Sequence, residues 1–376
     1  KAVNKAIAFC NNDELNFTKF FAETYAFRKK VIRLLLDNGY SIEGRLKSHV
    51  YKNGEFHDSI ILSKFKVKKI LNRCSVLITS SSNKTPLVEL VKASLKGFVE
   101  KSMVFCSDKQ SLVVTKFITN NFLKLPKLND KNIIKIKNIL KKNKINYILP
   151  TRTEELFFWA KHQKFFKKDK IKIFVNNLNS LNKTTDKYIF YKILKKYNIL
   201  TPKTYLGEVK IPNTIIKPQY GAGGKKIFFK NFKEKDKKNI TQQIIKGKEI
   251  SIDIWHSKNH DSSKILIRER RKINNGETEI SKFINNKRIE KISLKVIKLF
   301  KLSGIINLQG FLKNKKFYIF DCNARVGGAV NFSFLQGLDF LKYMILEDKK
   351  FINKVKQEIN EHPDFKNINA TYFRVK

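Results

Sequence analysis

Asp321, Asn323 and Arg325 stand two residues apart at the end of an apolar run, Phe317-Tyr318-Ile319-Phe320. Side chains two apart on a strand share a face, so a carboxylate, an amide and a guanidinium can point into one cleft. The carboxylate and amide oxygens are hard donors suited to Mg²⁺. The guanidinium suits phosphoryl charge. Gly327-Gly328 just beyond lets the backbone approach a bound group. A strand that ends in a solvated charged loop is the plainer reading of the same residues. Upstream, residues 213–216 and 227–229 read as strands flanking Gly221-Ala222-Gly223-Gly224. Such a loop can turn its N–H groups toward phosphate oxygens, and Lys217 would leave the first strand as a fixed positive charge beside them. No Gly-Lys-Ser/Thr opens a helix here, so this is not a P-loop. A β-hairpin with a glycine-rich turn is the alternative.

The elements around these residues follow from periodicity. Ser75–Thr79 is an apolar strand running into small residues through Ser82, and Leu87–Leu95 has helical spacing with Gly97 as its expected stop. Ser102–Cys106, Tyr147–Pro150 and Ile171–Val175 read as further strands, with Asp108 just past the first of them. Strand, loop, helix, strand predicts a parallel sheet. Thr185-Asp186-Lys187 opens a helix that runs to Tyr197. Ile265–Lys272 alternates so that Arg268 and Arg270 share a face, ahead of Gly276-Glu277-Thr278. In the first 72 residues, 27–38 reads as an amphipathic helix ended near Gly39, and Tyr51–Phe56 as a hairpin turn; nothing else there is recognisable.

Taken in order, these segments resemble the ATP-grasp ligases, in particular carbamoyl-phosphate-synthase-like members of the large-subunit type. Asp321-Cys322-Asn323-Ala324-Arg325 is similar to the family's metal strand, usually Glu-x-Asn-Pro-Arg. Lys217 matches the strand lysine of the lid, with Gly221 in the loop and Gly223-Gly224 at its tip. Thr241–Asp253 resembles the adenine hinge followed by Gly-x-Glu. The resemblance gives Gln243, Ile244 and Ile245 to adenine and Glu249 to the ribose hydroxyls, although Gln243 replaces the common hinge glutamate. Lys187, in an Asp-Lys pair that resembles the domain's opening, would reach ATP phosphate. Gln309 would be a further metal ligand, on a strand joined to the metal strand as a hairpin through residues 313–316.

The resemblance implies an α/β and α+β fold. A Rossmann-like domain at 73–180 would precede a two-lobed ATP-grasp domain at 181–376, whose glycine-rich lid lobe covers about 200–255; residues 1–72 stay unassigned. It implies an ADP-forming carboxylate-amine type ligase that uses ATP with Mg²⁺ or Mn²⁺. Its catalytic groups would be Arg325 and Lys217, and its metal ligands Gln309, Asp321 and Asn323. Loops at strand ends line the acceptor site in such proteins, which nominates Ser80, Ser81, Arg152 and Glu155, with ordinary helix caps as the alternative. Arg268 and Arg270 would hold a carboxylate substrate or acyl phosphate, with a solvated strand face as the alternative. The implied partners are a small carboxylate and a nucleophilic co-substrate, with no specific nucleic acid and no membrane; a homo-oligomer is left open.

Composition bounds this reading. A chain of 376 residues with 42% hydrophobic content can bury the cores of two or three domains. Its formal charge of +46 invites a nucleic-acid or polyanion role, which is the rival function; an ATP-binding regulatory subunit on the same fold is another. Only eleven of the 78 basic residues are Arg, the side chain that does most base reading. The lysines are spread along the chain beside abundant Asn, Ile and Phe, so genome base composition accounts for most of the charge. Cys10, Cys74, Cys106 and Cys322 lack zinc-ligand spacing and read as reduced cytoplasmic thiols. The six histidines form no constellation. No apolar run reaches the ~18 residues of a membrane span. The chain begins at Lys1 and not Met, as a trimmed sequence would.

Overall fold

A computed structural model describes residues 19–65, 70–221, 239–257, 259–274, 276–351, 353 and 371–373. Gly223, Gly224 and the strand expected at 227–229 lie outside the described residues. Two compact units are present, one formed by 1–72 with 97–100 and the other by 73–96 with 101–376.

In the first unit β1 (Lys19–Tyr25), β2 (Ser41–Lys52) and β3 (Glu55–Phe65) form an antiparallel sheet in the order β1-β3-β2. The expected helix is α1 (Lys29–Asp37), whose buried Leu35 packs with Tyr40, Ile60 and Leu62. The expected hairpin turn joins β2 to β3: Asn53 and Gly54 both have positive φ, 53° and 85°, as a two-residue turn between twisted strands requires.

The second unit opens with a five-stranded sheet. Its strands are β4 (Leu71–Thr79), β5 (Val99–Asp108), β6 (Phe122–Lys124), β7 (Tyr147–Pro150) and β8 (Lys172–Ile173), ordered β6-β5-β4-β7-β8. The β4–β7, β5–β6 and β7–β8 pairs are parallel. Helices α2 (Thr85–Phe98), α3 (Val114–Ile118), α4 (Ile133–Lys142) and α5 (Thr153–Lys167) connect the strands. Gly97, expected as a stop, lies inside α2; its absent side chain there has open space around it. Leu77, Ile136, Leu140, Ile148, Trp159 and Phe166 form the fully buried centre of this core.

Next come α6 (Leu178–Thr185) and α7 (Lys187–Lys196), then a small antiparallel sheet of β9 (Thr204–Leu206), β10 (Thr214–Pro218) and β11 (Asn239–Gln243), ordered β10-β11-β9. A six-stranded antiparallel sheet follows: β12 (Lys248–His256), β13 (Ser263–Asn274), β14 (Glu277–Ile284), β15 (Gly304–Lys313), β16 (Lys316–Asn323) and β17 (Thr371–Phe373), ordered β16-β15-β12-β13-β14-β17. Helix α8 (Lys287–Phe300) lies between β14 and β15; α9 (Val330–Leu335) and α10 (Phe340–Asp348) follow β16. One face of this sheet is apolar. Ile250, Ile252, Ile254, Leu308, Phe317 and Ile319 pack there against Leu181, Phe190, Val296 and Phe300 of α6, α7 and α8. Yet β12 is buried almost throughout, so its other, polar face is covered as well. That second face carries the site.

Candidate functional site

Cross-strand register collects the polar side chains. Antiparallel partners point the same way. Gln309 is opposite both Asp321 and Ser251, Asn307 is opposite both Asn323 and Asp253, and Ser251 is opposite Arg268. One face therefore carries Glu249, Ser251, Asp253, Arg268, Arg270, Asn307, Gln309, Asp321 and Asn323. The expected hairpin between Gln309 and Asp321 is present, with Lys313 opposite Lys316 at its turn.

A β-bulge sets the aim of the metal strand. Gln309 pairs with Asp321 but Gly310 pairs with Ile319, so Phe320 is the extra residue. Strict alternation would put Ile319 on the face of Asp321. The bulge reverses that parity, sending Ile319 and Cys322 into the apolar core while Asp321 stays on the polar face. Gly310 is what lets the strands close there. A Cβ on it would come within 2.5 Å of the Phe317 ring and 2.6 Å of the Tyr318 carbonyl oxygen.

Asn323 Nδ2 donates to Asp321 Oδ2 at 2.8 Å, and Gln309 Nε2 to Asn307 Oδ1 at 3.4 Å. The Asn323 amide thereby orients the Asp321 carboxylate, and the Gln309 amide is held by Asn307; both donate through nitrogen, which leaves their oxygens able to act as metal ligands. Arg325 lies past the strand end, not on its pleat. Its Nε donates to Thr153 Oγ1 at 3.1 Å and Nη1 to the Val326 carbonyl at 2.8 Å. Burial pushes its pKa down while Asp321, Glu154 and Glu155 pull it up. A small pocket beside it is lined by Thr153, Thr184, Thr185, Gly221, Asp321 and Asn323, among others.

Two lysines flank Asp321. Lys217, on β10, is buried, with Nζ 5.2 Å from the centroid of the Phe320 ring. Phe320 in turn stacks on Phe311 at 4.7 Å. Burial, and secondarily the charge of Lys187, bring the Lys217 pKa down to about 8, against the pull of Asp321 and Glu249. Lys187 opens α7, and its Nζ donates to the carbonyl oxygens of Pro218 at 3.2 Å and Gly221 at 2.7 Å. Its pKa is also lowered by burial, with Asp321 opposing. Asp186, unremarked in the sequence reading except as the partner of Lys187, caps α7 by accepting from the Tyr188 and Ile189 N–H groups. It also accepts from Gln219 Nε2 and Tyr220 Oη at 2.7 Å each. Burial alone would raise its pKa, but these bonds hold it below the usual carboxylate range. The base of the glycine loop is thus tied to one helix end, and Gly221, at φ +104°, leaves that base in a conformation suited to glycine.

Arg268 and Arg270 are not on a solvated strand face. Arg268 is 2% exposed and its Nε donates to Asp253 Oδ2 at 2.9 Å. Asp253 also accepts from Ser333 Oγ at 2.6 Å and from Asn307 Nδ2 at 2.6 Å. This buried network was not anticipated, although the alternation Glu249-Ser251-Asp253 between isoleucines was its visible signal. Gly327 packs on it: a Cβ there would meet Asn307 Nδ2 at 3.2 Å and Asp253 Oδ1 at 3.3 Å. Arg270 pairs with Glu249 and bonds Thr278 Oγ1 at 2.8 Å and the Gly276 carbonyl at 2.7 Å.

In the hinge segment, Gln243 is exposed and Ile245 buried. The Gln243 and Ile244 N–H groups donate to the carbonyls of Lys203 and Asn213, both at 2.8 Å. Around the parallel sheet, Glu155 is a helix cap, the plainer of its two readings. One oxygen accepts from the Thr151 and Arg152 N–H groups at 2.8 and 3.0 Å, the other from Trp159 Nε1 at 3.2 Å. Ser81 is buried and bonded to the Ser107 carbonyl and to Thr115 Oγ1. Ser80, at φ +49°, offers its carbonyl to Thr151 Oγ1 and Lys84 Nζ. Arg152 is exposed at the start of α5. Lys84 was not singled out in the sequence, where one lysine among so many carries no signal.

Family models match two stretches: residues 76–174 match a PylC-like N-terminal domain and residues 184–329 an ATP-grasp domain. No curated protein sequence matches the chain. Among solved structures, the ADP complex of PurK, N5-carboxyaminoimidazole ribonucleotide synthetase, superposes with a TM-score of 0.55 at 12% identity, over 75% of this chain and 78% of that one. An L-amino acid ligase from Bacillus licheniformis gives 0.56 at 13% over 72% and 73%. Biotin carboxylase from Campylobacter jejuni gives 0.54 at 16% over 72% and 70%. The chain therefore carries a PylC-like N-terminal domain followed by an ATP-grasp domain, in the fold of the ATP-grasp ligases.

Proposed function

We propose that the protein is an ADP-forming ligase that activates a substrate carboxylate as an acyl phosphate for attack by an amine or similar nucleophile. The observation that carries this reading is the convergence on Asp321 of Asn323, Gln309 and three cations, Lys187, Lys217 and Arg325. Transfer of a phosphoryl group needs positioning and charge neutralisation more than a side-chain nucleophile, and that is what these groups offer.

The donor set fits Mg²⁺. Asp321 provides one carboxylate, and Asn323 and Gln309 provide amide oxygens, with phosphate oxygens and water to complete a shell of oxygen ligands. No group of three or more His, Cys, Asp or Glu is placed to hold a metal among the described residues, so the ion would enter with the nucleotide. When bound, it would neutralise phosphate charge and align the transferring group.

The reaction divides among the chain's own residues. Lys187 and Lys217 hold the phosphate oxygens, and Glu249, oriented by Arg270, accepts from the ribose. The Gln243 and Ile244 N–H groups are already bonded, so adenine would pair with their carbonyl oxygens or with the backbone from Ile245 onward. A carboxylate oxygen of the substrate attacks the γ-phosphorus, the bond to the β-phosphate oxygen breaks, and ADP leaves. The nucleophile then attacks the acyl carbon, loses its proton, and inorganic phosphate departs. Arg325 would neutralise the charge that builds on the transferring phosphoryl group. Residues 73–180 would supply the acceptor side, 181–376 the nucleotide side. Buried, unpaired Cys74, Cys106 and Cys322 fit a reducing cytoplasm, and among the described residues no helix is long and apolar enough to cross a membrane.

The test is ADP release from Mg²⁺-ATP with small carboxylates and amines offered singly and in pairs. ADP formation that requires both members of one pair is expected. Failure to bind Mg²⁺-ATP, together with tight nucleic-acid binding at about 150 mM salt, a condition that weakens nonspecific contacts, would overturn the reading.

A further inference from the structure

A second group of cations lies at the C-terminal ends of the parallel strands. Lys84 stands immediately before α2, beyond the loop from β4, and Arg152 immediately before α5, beyond β7. Lys84 Nζ donates to the Ser80 carbonyl at 3.0 Å, and Thr151 Oγ1 donates to the same oxygen at 3.0 Å. Two residues on, Thr153 Oγ1 accepts from Arg325 Nε at 3.1 Å. A continuous path of bonds and short chain therefore runs from Lys84 through Ser80 and residues 151–153 to Arg325.

The acids nearest this path are held by other bonds or exposed on a helix. Glu155 caps α5 and bonds Trp159. Asp108 accepts from Ser82 Oγ at 2.6 Å, from the Ser82 N–H at 3.1 Å and from the Gln110 N–H at 3.2 Å. Glu154 is exposed on α5. Among the described residues the Arg152 guanidinium has no carboxylate partner, and Lys84 bonds only one neutral carbonyl. Burial, then the charges of Arg152 and Arg325, push the Lys84 pKa down against the pull of Glu155 and Asp108. Lys84 Nζ and Thr151 Oγ1 meet on one carbonyl oxygen next to Arg152, and like charge gathered on such short loops is a cost to the free protein that a bound anion would offset.

We propose that Lys84 and Arg152 form a subsite for an oxyanion, a carboxylate or a phosphate, carried by the acceptor whose nucleophile attacks next to Arg325. The acceptor is then an amine with an anionic tail, not ammonia or a simple alkylamine. Lys84 supplies a point charge, and Arg152 a planar fork that can take two oxygens at once. The inference rests on the ligase reading for the role of the anion, but the subsite is testable without turnover.

The full chain is saturated with Mg²⁺ and a non-hydrolysable ATP analogue, which fills the nucleotide phosphate positions, and then titrated with inorganic phosphate, acetate or neutral acetamide. Saturable binding of phosphate or acetate is expected, and none of acetamide; the stronger of the two anions identifies the kind of tail. In the double variant Lys84→Gln/Arg152→Gln the anion affinity should fall about tenfold or more, the scale of lost charge-assisted bonds. Analogue affinity should be unchanged, which also reports a folded chain. Arg152→Lys should restore only part of the loss when paired with wild-type Lys84. No anion binding, or anion binding untouched by the double variant, as an anion held only at the carboxylate-donor position would show, overturns the subsite. Loss of analogue binding in the wild-type chain would instead defeat the ligase reading.

Discussion

Arg268 and Arg152 mark two regions built on different terms. On the antiparallel sheet, Arg268 is closed in with Asp253, Asn307 and Ser333, so a buried charge pair braces the face that also carries Gln309, Asp321 and Asn323. On the parallel sheet, Arg152 and Lys84 project from loops, anchored through backbone carbonyls and helix caps. The first region is organised before any ligand arrives. The second keeps positive charge with no carboxylate bonded to it among the described residues, Arg152 exposed and Lys84 half-buried. A nucleotide and its metal, the same in every turnover, fit the rigid side, and a substrate that must be selected fits the adaptable side.

The sharpest way to break this contrast is to remove each arginine and measure stability. Arg268→Ala leaves Asp253 buried without its partner and should cost about 3–5 kcal/mol. Arg152→Ala should stay within about 0.5 kcal/mol, as exposed substitutions do. Denaturant titration of both variants decides; similar losses would erase the distinction.

Lys217→Ala addresses the nucleotide side. It removes charge-assisted contacts to phosphate worth about 1.5–3 kcal/mol, so ATP affinity should fall about 10- to 100-fold and adenosine affinity should hold. Calorimetry with ATP, ADP and adenosine separates these outcomes, and equal losses for all three would refute a phosphate role. The pH dependence has a definite sign. With its pKa brought down to about 8 in the free protein, Lys217 is charged below that pH, and a bound polyphosphate raises its pKa again. ATP affinity should therefore be greatest below about pH 8 and fall above it, with a smaller slope in Lys217→Ala. The free protein should move the other way. Its unfolded chain binds the extra proton between about 8 and the ordinary lysine value, so stability rises with pH across that window.

Glu155→Ala should have a smaller effect than Lys217→Ala. Losing the cap of α5 should cost about 1–2 kcal/mol. ATP affinity should not change, because the carboxylate acts on local backbone and on Trp159. A change in ATP affinity larger than the stability loss would return Glu155 to the site.

Much of this architecture was legible in the residues. The start of α7 at Asp186-Lys187 and the parallel sheet around β4 and β7 follow from local periodicity, and the 309–321 hairpin from the family resemblance. Two things were not. The pairing of Glu249 with Arg270, and of Asp253 with Arg268, depends on register between strands that the sequence separates by 15 or more residues. The bulge at Phe320 reverses the alternation between Ile319 and Asp321, which no local pattern announces; the two-residue spacing of Asp321 and Asn323 lies past the bulge and holds. Ser80, Ser81 and Glu155 were nominated from strand-end position alone, which does not distinguish a substrate contact from a cap. Lys84 was invisible because abundance hides position.

The central claim is that Asp321, set by its bulged strand, makes the polar face a working nucleotide site. Its most direct test is Mg²⁺-dependent ADP formation by wild type and Asp321→Ala, with folding checked by unfolding temperature. Removing the single metal-facing carboxylate leaves too few protein oxygens for the ion. The account predicts ADP formation in the wild type and a loss of at least about 100-fold in a variant that stays folded. A folded Asp321→Ala protein that forms ADP at the wild-type rate would contradict it.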